Sequence, residues 1–137
     1  MRIAGWLAAA LLGVLLSACG GATGKASTDI KVSMTEFMFQ PSQFVVPAGK
    51  EINLEATNNG AIVHNFIIMK LGTQASLPFD ANDEPNVYWR VALNPGESTK
   101  MTFSSPSEAG DYQVLCSTPG HAEAGMIGNL TVVDTGP

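Results

Sequence analysis

Positively charged residues are scarce in this sequence. Seven Lys and Arg residues stand against twelve Asp and Glu, which gives a formal net charge of −5. A nucleic-acid-binding surface needs clustered positive charge to neutralise phosphates, so the composition argues against a nucleic-acid partner. The acidic balance permits attraction to a basic protein surface, an effect that salt would weaken.

Long apolar runs are also scarce. The run at 3–16 is shorter than the roughly 20 residues of a membrane-spanning helix. It follows Arg2 and leads into Leu16-Ser17-Ala18-Cys19, the order of charge, apolar core and small residues that is typical of a secretory signal. The last four residues resemble a bacterial lipobox, in which the Cys is lipidated and becomes the new N-terminus.

We therefore expect a lipoprotein signal peptide at 1–18 and a lipidated Cys19 that opens a small, polar linker at 19–28. The remainder, 29–137, is long enough for one domain. These predictions place the protein outside the cytoplasm, anchored by lipid to the membrane on its periplasmic or outer face.

No segment shows a convincing helical period, and the pattern is instead that of short strands. Apolar and polar residues alternate across 51–56, and turn signals such as Asn58-Asn59-Gly60 and Asn94-Pro95-Gly96 separate the segments. The pattern predicts an all-β, antiparallel Greek-key β-sandwich of about eight strands. The predicted strands are 30–34, 43–46, 51–57, 65–70, 87–93, 98–103, 111–115 and 128–133.

The longest irregular stretch, 71–86, carries Asp80, Asp83 and Glu84. Such a group of charges is typical of a solvated loop. The alternative interpretation is a loop that docks a partner or covers a ligand.

Cysteine is rare, and its placement is informative. If Cys19 carries lipid, Cys116 is the remaining thiol of the chain, and a free thiol is a liability in an exported protein. Cys116 is therefore either buried and inert or held as a thiolate. His121 and Met126 follow it in a turn-rich segment, and His64 lies in a separate apolar run. Two His, one Cys and a weak thioether are the ligands of a blue-copper electron-transfer site.

The two histidines of the chain exclude several other metal sites. A trinuclear oxidase cluster needs more imidazoles, and a dinuclear copper site needs a second Cys in the ligand loop. Zinc accepts Cys and His, but a thioether suits it poorly. A Cys–His nucleophile would need a third, orienting residue, and no obvious one accompanies the motif. Two alternatives to an electron carrier stay open: a copper carrier or delivery protein, and a small copper enzyme or accessory subunit.

Residues beside the ligands have predicted supporting roles. Asn65 follows the first His. Its amide is placed to bond across to the 116–120 loop, where Ser117 can pair with it, or its backbone N–H is placed to donate to the Cys116 sulfur. Hydrogen bonds of this type order ligands and tune the potential. We also expect His121 to reach the surface through a patch of small residues, namely Pro119, Gly120 and Ala122 with Ile62.

These motifs together resemble the cupredoxins, and within them most closely the auracyanins. The resemblance spans most of 30–134 and is carried by Asn58-Asn-Gly-Ala-Ile-Val-His64-Asn65-Phe66, Leu93-Asn-Pro-Gly96-Glu97-Ser98, Cys116, Pro119-Gly120-His121 and Ala124-Gly125-Met126. It implies an eight-stranded sandwich with one type 1 copper ion bound by His64, Cys116, His121 and Met126.

The resemblance also implies a membrane-attached, non-enzymatic electron carrier. Its expected partners are a quinol-oxidising complex on one side and a cytochrome, oxidase or reaction centre on the other. We expect the protein to be a monomer. The compact 71–86 segment and the lipoprotein signal depart from the auracyanin pattern, and both bear on the partner rather than on the copper site.

Overall fold

Two packed sheets make up the part of the chain that the structure, a computed structural model, describes, residues 24–136. The nine strands of this part are β1 (Asp29–Thr35), β2 (Met38–Gln40), β3 (Gln43–Pro47), β4 (Glu51–Asn58), β5 (His64–Met69), β6 (Val87–Leu93), β7 (Ser98–Ser104), β8 (Gly110–Leu115) and β9 (Ile127–Val133). One sheet has the order β2-β1-β4-β7 and the other the order β3-β9-β8-β5-β6. The predicted all-β sandwich is confirmed. Each predicted strand begins and ends within one residue of the corresponding observed strand.

The pairing is not wholly antiparallel, and that part of the prediction is wrong. Strand β1 runs parallel to β4, with Ile30 opposite Leu54. Strand β3 runs parallel to β9, with Phe44 opposite Leu130. Neither parallel pair joins strands that are adjacent in the sequence. No tight turn connects these strands, so a local turn does not set their relative direction.

The main core lies between the sheets, and the alternation of strands such as β4 points one face of each strand into it. In β4 the inward residues Ile52, Leu54 and Ala56 are buried while their neighbours face solvent or the rim. Phe66 sits at the centre, where it meets Phe39 and Phe44 edge to face at centroid distances of 5.5 and 5.3 Å. The strand ends are therefore held on a close-packed frame.

The side-chain carboxylate of Asp83 orders the acidic segment between β5 and β6. Asp83 is buried and accepts hydrogen bonds from the Ser76 hydroxyl at 2.6 Å and the Asp80 N–H at 2.9 Å. Glu84 pairs with Arg90 on β6. Asp83 is thus a structural residue of this segment, and the interpretation of the three acids as one solvated group is wrong for it.

The predicted signal peptide and Cys19 lie outside the described residues. Within residues 24–136, the structure contains no helix with the length and apolar character needed to cross a membrane.

Candidate metal centre

Three potential metal ligands meet where strands of one sheet end. His64 is the first residue of β5, Cys116 follows the last residue of β8, and His121 lies in the loop between β8 and β9. Strand β5 lies antiparallel beside β8, so the start of one strand and the end of the other meet at the same edge. All three residues are buried, with no more than 3% of any of them exposed.

The donor atoms of these residues converge on one point. The Cys116 Sγ lies 3.9 Å from His64 Nδ1 and 3.7 Å from His121 Nδ1, and one donor atom from each residue lies within 4.8 Å of the others. Metal bonds of about 2.1 Å to nitrogen and about 2.3 Å to sulfur, set 120° apart, would separate the two donors by about 3.8 Å. The two sulfur-to-nitrogen distances therefore match those that a trigonal copper ion would require.

Met126 is held beside these donors by the backbone of the loop. Its N–H donates to the His121 carbonyl at 2.9 Å, and its own carbonyl accepts from the Cys116 N–H at 3.2 Å. Leu115 and Ile127 are paired at the base of this loop, and Met126 is fully buried. The backbone thus places Met126 beside Cys116, while its role as the weak fourth ligand stays a prediction.

Two further hydrogen bonds join the ligand loop to the segment that carries His64. The Asn65 side-chain oxygen accepts from the Ser117 N–H at 2.7 Å. The Thr118 hydroxyl donates to the Val63 carbonyl at 2.8 Å. Asn65 and Ser117 are therefore in contact, as their positions in the sequence suggested, and the effect of this contact on the potential stays a prediction. Each bond restricts the movement of Cys116 relative to His64.

Burial favours the neutral imidazole that a metal requires. Desolvation is the largest cause that lowers the pKa of His64, and the neighbouring His121 lowers it further, while Glu36 opposes both. A neutral imidazole offers a nitrogen lone pair to a metal. His64 presents Nδ1 to the sulfur, which leaves Nε2 on the other edge of the ring.

The turn between β1 and β2 contacts both imidazoles and was missed from the sequence. Glu36 Oε1 lies 3.7 Å from His64 Nε2, and the Phe37 ring meets the His121 ring edge to face at 5.3 Å. Phe37 has a positive φ of 68°, which is uncommon for a bulky residue and marks a backbone held by its surroundings. Glu36 and Phe37 are far from the three ligands in the sequence and belong to no metal-binding motif, so the sequence offered no signal for this contact.

The predicted surface patch is partly wrong. Pro119 and Gly120 are exposed, as is Ile62, but Ala122 is buried against Ile67, Met69 and Leu115. The reason is the tight winding of the loop after His121, where the Gly125 N–H bonds back to the Ala122 carbonyl and the Ala124 N–H to the Gly120 carbonyl. His121 is also covered, with 3% of its surface exposed.

The family of copper-binding proteins that includes plastocyanin and azurin matches residues 26–133 of the chain. Among curated proteins, the chain is 32% identical over 119 residues to the copper-resistant cuproprotein CopI of Rubrivivax gelatinosus, covering 82% of this chain and 70% of that protein. It is 31% identical over 126 residues to auracyanin-B of Chloroflexus aurantiacus, covering 80% of this chain and 53% of that protein.

Solved structures agree with these matches. A reduced auracyanin from the photosynthetic bacterium Roseiflexus castenholzii superposes with a TM-score of 0.66 and 30% identity, covering 80% of this chain and 99% of that one. The family match, the fold and the convergent His₂Cys donors agree on a cofactor of one type 1 copper ion. The chain belongs to the plastocyanin/azurin family of copper-binding proteins, and it is a blue copper protein most like the auracyanins.

Proposed function

We propose that the protein carries single electrons between redox proteins at a membrane and performs no chemistry on a substrate. The observation that carries this proposal is the buried cluster of His64, Cys116 and His121, with sulfur-to-nitrogen distances of 3.9 and 3.7 Å. The proposed partners are a quinol-oxidising complex as donor and a cytochrome, oxidase or reaction centre as acceptor.

When bound, copper supplies the one-electron couple between Cu(II) and Cu(I). The chain contributes donors that move little, which keeps the reorganisation that accompanies each transfer small. Strands β5 and β8 fix His64 and Cys116, and the bonds from Ser117 to Asn65 and from Thr118 to Val63 hold the ligand loop against β5. Burial of all three donors excludes water from the positions around the metal.

The exposed residues next to the site are mostly apolar. Ile62 and Val63 precede His64 and are exposed, Phe37 lies over the His121 ring, and Pro119 and Gly120 form the outer part of the ligand loop. An apolar surface of this kind permits close, short-lived contact with a partner. The net charge of −5 favours a partner with a basic rim.

The visible spectrum of the copper-loaded protein tests the site. We expect an intense blue Cu(II)–thiolate absorption in the oxidised protein, lost in Cys116→Ser because the thiolate donor is gone.

Met126→Leu should keep the colour and raise the reduction potential, because removal of a weak axial donor disfavours Cu(II). Met101→Leu, an exposed methionine on β7, is the control and should change neither. A colourless wild-type protein with bound copper would contradict the assignment.

A second function is favoured by the 32% identity to the copper-resistant cuproprotein CopI. A protein that delivers copper needs a site that exchanges metal readily. Stopped-flow transfer of Cu(I) to a chelator distinguishes the two functions. Exchange within seconds in the folded protein would favour delivery, whereas the buried site described here should hold copper for hours.

We propose that the mature chain is a monomer outside the cytoplasm, tethered to the membrane through a lipid on Cys19. The support is the Leu16-Ser17-Ala18-Cys19 sequence and the linker that follows it. Expressed in full length in a bacterium, the protein should partition into detergent, and Cys19→Ala should abolish the lipid mass at the N-terminus. Equal partitioning of both proteins would contradict the tether.

A further inference from the structure

The two edges of the His64 imidazole face different groups. Nδ1 lies 3.9 Å from the Cys116 sulfur, and Nε2 lies 3.7 Å from Glu36 Oε1. Nε2 is fully buried and has no hydrogen-bond partner within the described part of the chain. A buried ring nitrogen of this kind needs compensation, and metal-binding histidines usually obtain it from a carboxylate or carbonyl on the far edge of the ring.

Glu36 is held at this position by the turn that leads to His64. The Ala61 N–H donates to Glu36 Oε1 at 2.5 Å, and this bond is the largest cause that lowers the pKa of Glu36, so the group is charged at neutral pH. The Gly60 N–H in turn donates to the buried Asn58 side chain at 2.8 Å. The carboxylate is therefore attached to an ordered turn and not free in solvent.

Gly60 leaves the space through which the carboxylate reaches the ring. A Cβ built at Gly60 would lie 2.4 Å from His64 Nε2 and 2.7 Å from Glu36 Oε1. Both distances are shorter than any normal carbon contact, so a side chain here would push the imidazole and the carboxylate apart. The absence of a side chain at position 60 is thus a requirement of the Glu36–His64 contact.

We propose that Glu36 is a positioning residue for the copper ligand His64, an inference that rests on the proposed function. The carboxylate stabilises the proton on Nε2, which leaves the lone pair of Nδ1 directed at the metal. At 3.7 Å the pair is too long for a hydrogen bond, so the effect is one of charge. A negative charge behind a ligand favours Cu(II) over Cu(I), and Glu36 therefore lowers the reduction potential.

The test compares Glu36→Gln with Glu55→Gln in the copper-loaded protein. The two side chains are exposed to a similar degree, 39% and 37%, and both variants remove one negative charge, but Glu55 pairs with Lys31 and Lys100 on the outer face of its sheet. Glu36→Gln should keep the blue colour and weaken Cu(II) binding relative to Cu(I) about tenfold. That change raises the potential by about 59 mV for a one-electron couple. Glu55→Gln should leave the potential unchanged.

A second measurement needs no copper. Nitrogen-15 NMR of the metal-free wild type should show His64 with its proton on Nε2, and Glu36→Gln should give a mixture of tautomers. Gly60→Ala, which retains Glu36 but pushes its carboxylate and the imidazole apart, should shift the potential in the same direction as Glu36→Gln.

The outcomes separate the role of Glu36 from the proposed electron transfer. A blue wild type whose potential and His64 tautomer are the same in Glu36→Gln and Glu55→Gln would overturn the role of Glu36 and leave the electron carrier intact. A wild type without the blue band would overturn the proposed function, and with it the role of Glu36.

Discussion

Asn58, the last residue of β4, organises the segment that delivers His64. It is fully buried, donates to the Ile62 carbonyl at 2.8 Å and the Leu93 carbonyl at 2.9 Å, and accepts from the Gly60 N–H at 2.8 Å. One side chain therefore satisfies three backbone groups around the turn that precedes His64. A buried amide with all of these bonds made fixes one loop conformation.

Asn58→Ala should destabilise the metal-free protein by about 2–4 kcal/mol, because three backbone groups lose their partner where water has little access. Urea unfolding followed by Trp fluorescence measures this change. Asn59→Ala is the matched control, since Asn59 is exposed and its side chain donates to the Ser33 hydroxyl at 2.7 Å, with no backbone partner among residues 24–136. It should change stability by less than about 0.5 kcal/mol. Equal effects of the two substitutions would contradict the role given to Asn58.

At the scale of single residues, the sequence predicts the candidate metal ligands better than the residues that surround them. Cys116, His121 and Met126 lie close in sequence, and the rarity of His and Cys made His64 conspicuous. Asn58 and Asn59 look alike as turn residues, and the burial of one of them depends on packing against β6, beyond the reach of local pattern. Glu36 was missed for a similar reason. It lies close to His64 only in the folded structure, and no sequence motif links the two residues.

At the scale of elements, the segment between β5 and β6 is organised around Asp83. The Ser76 hydroxyl, the Asp80 N–H and the Ser76 N–H all donate to this carboxylate and lower its pKa, the Ser76 hydroxyl most. A carboxylate with a lowered pKa contributes stability that is fully present above its unfolded pKa, about 3.9. That contribution is lost as the pH falls through the folded pKa.

Asp83→Asn should therefore lower the melting temperature at pH 7, and the difference from the wild type should shrink as the pH falls below about 4. Thermal unfolding at a series of pH values from 7 to 3 gives this difference directly. Asp80→Asn, a change to an exposed acid in the same segment, should leave the pH dependence of the wild type in place. A constant difference between Asp83→Asn and the wild type at every pH would refute the account.

Strands such as β4 were predictable from their own alternation, seen across 51–56, and β5 from a short apolar run that follows a turn signal. Strand β2 was missed since Met38–Gln40 is only three residues long, too short to show a period. The parallel pairing of β1 with β4 and of β3 with β9 was also out of reach. Alternation defines the buried face of a strand but not which distant strand it joins or in which direction.

At the scale of the whole molecule, the frame that carries the ligands is made of contacts between protein groups. The contacts that bring His64, Cys116 and His121 together are strand pairs and hydrogen bonds between protein groups, such as Asn65 with Ser117 and Thr118 with Val63. The core between the sheets packs through side chains such as Phe66, Leu54 and Leu130, which are not candidate ligands. A site built in this way is preorganised before copper arrives.

The metal-free protein should therefore stay folded, and copper should add stability without changing the fold. Amide NMR spectra of the two forms should differ only for residues near the ligands, because the sheets are complete in both. Copper at 100 times its Kd should add about 2.7 kcal/mol, a rise in melting temperature on the order of 10 °C. Cys116→Ser should show little of this rise, because it lacks the thiolate. If the metal-free chain instead shows the collapsed amide dispersion of an unfolded protein, the ion is needed for folding. The hydrogen bonds of the ligand loop, from Ser117 to Asn65 and from Thr118 to Val63, would then form only after copper binds and could not position the ligands beforehand.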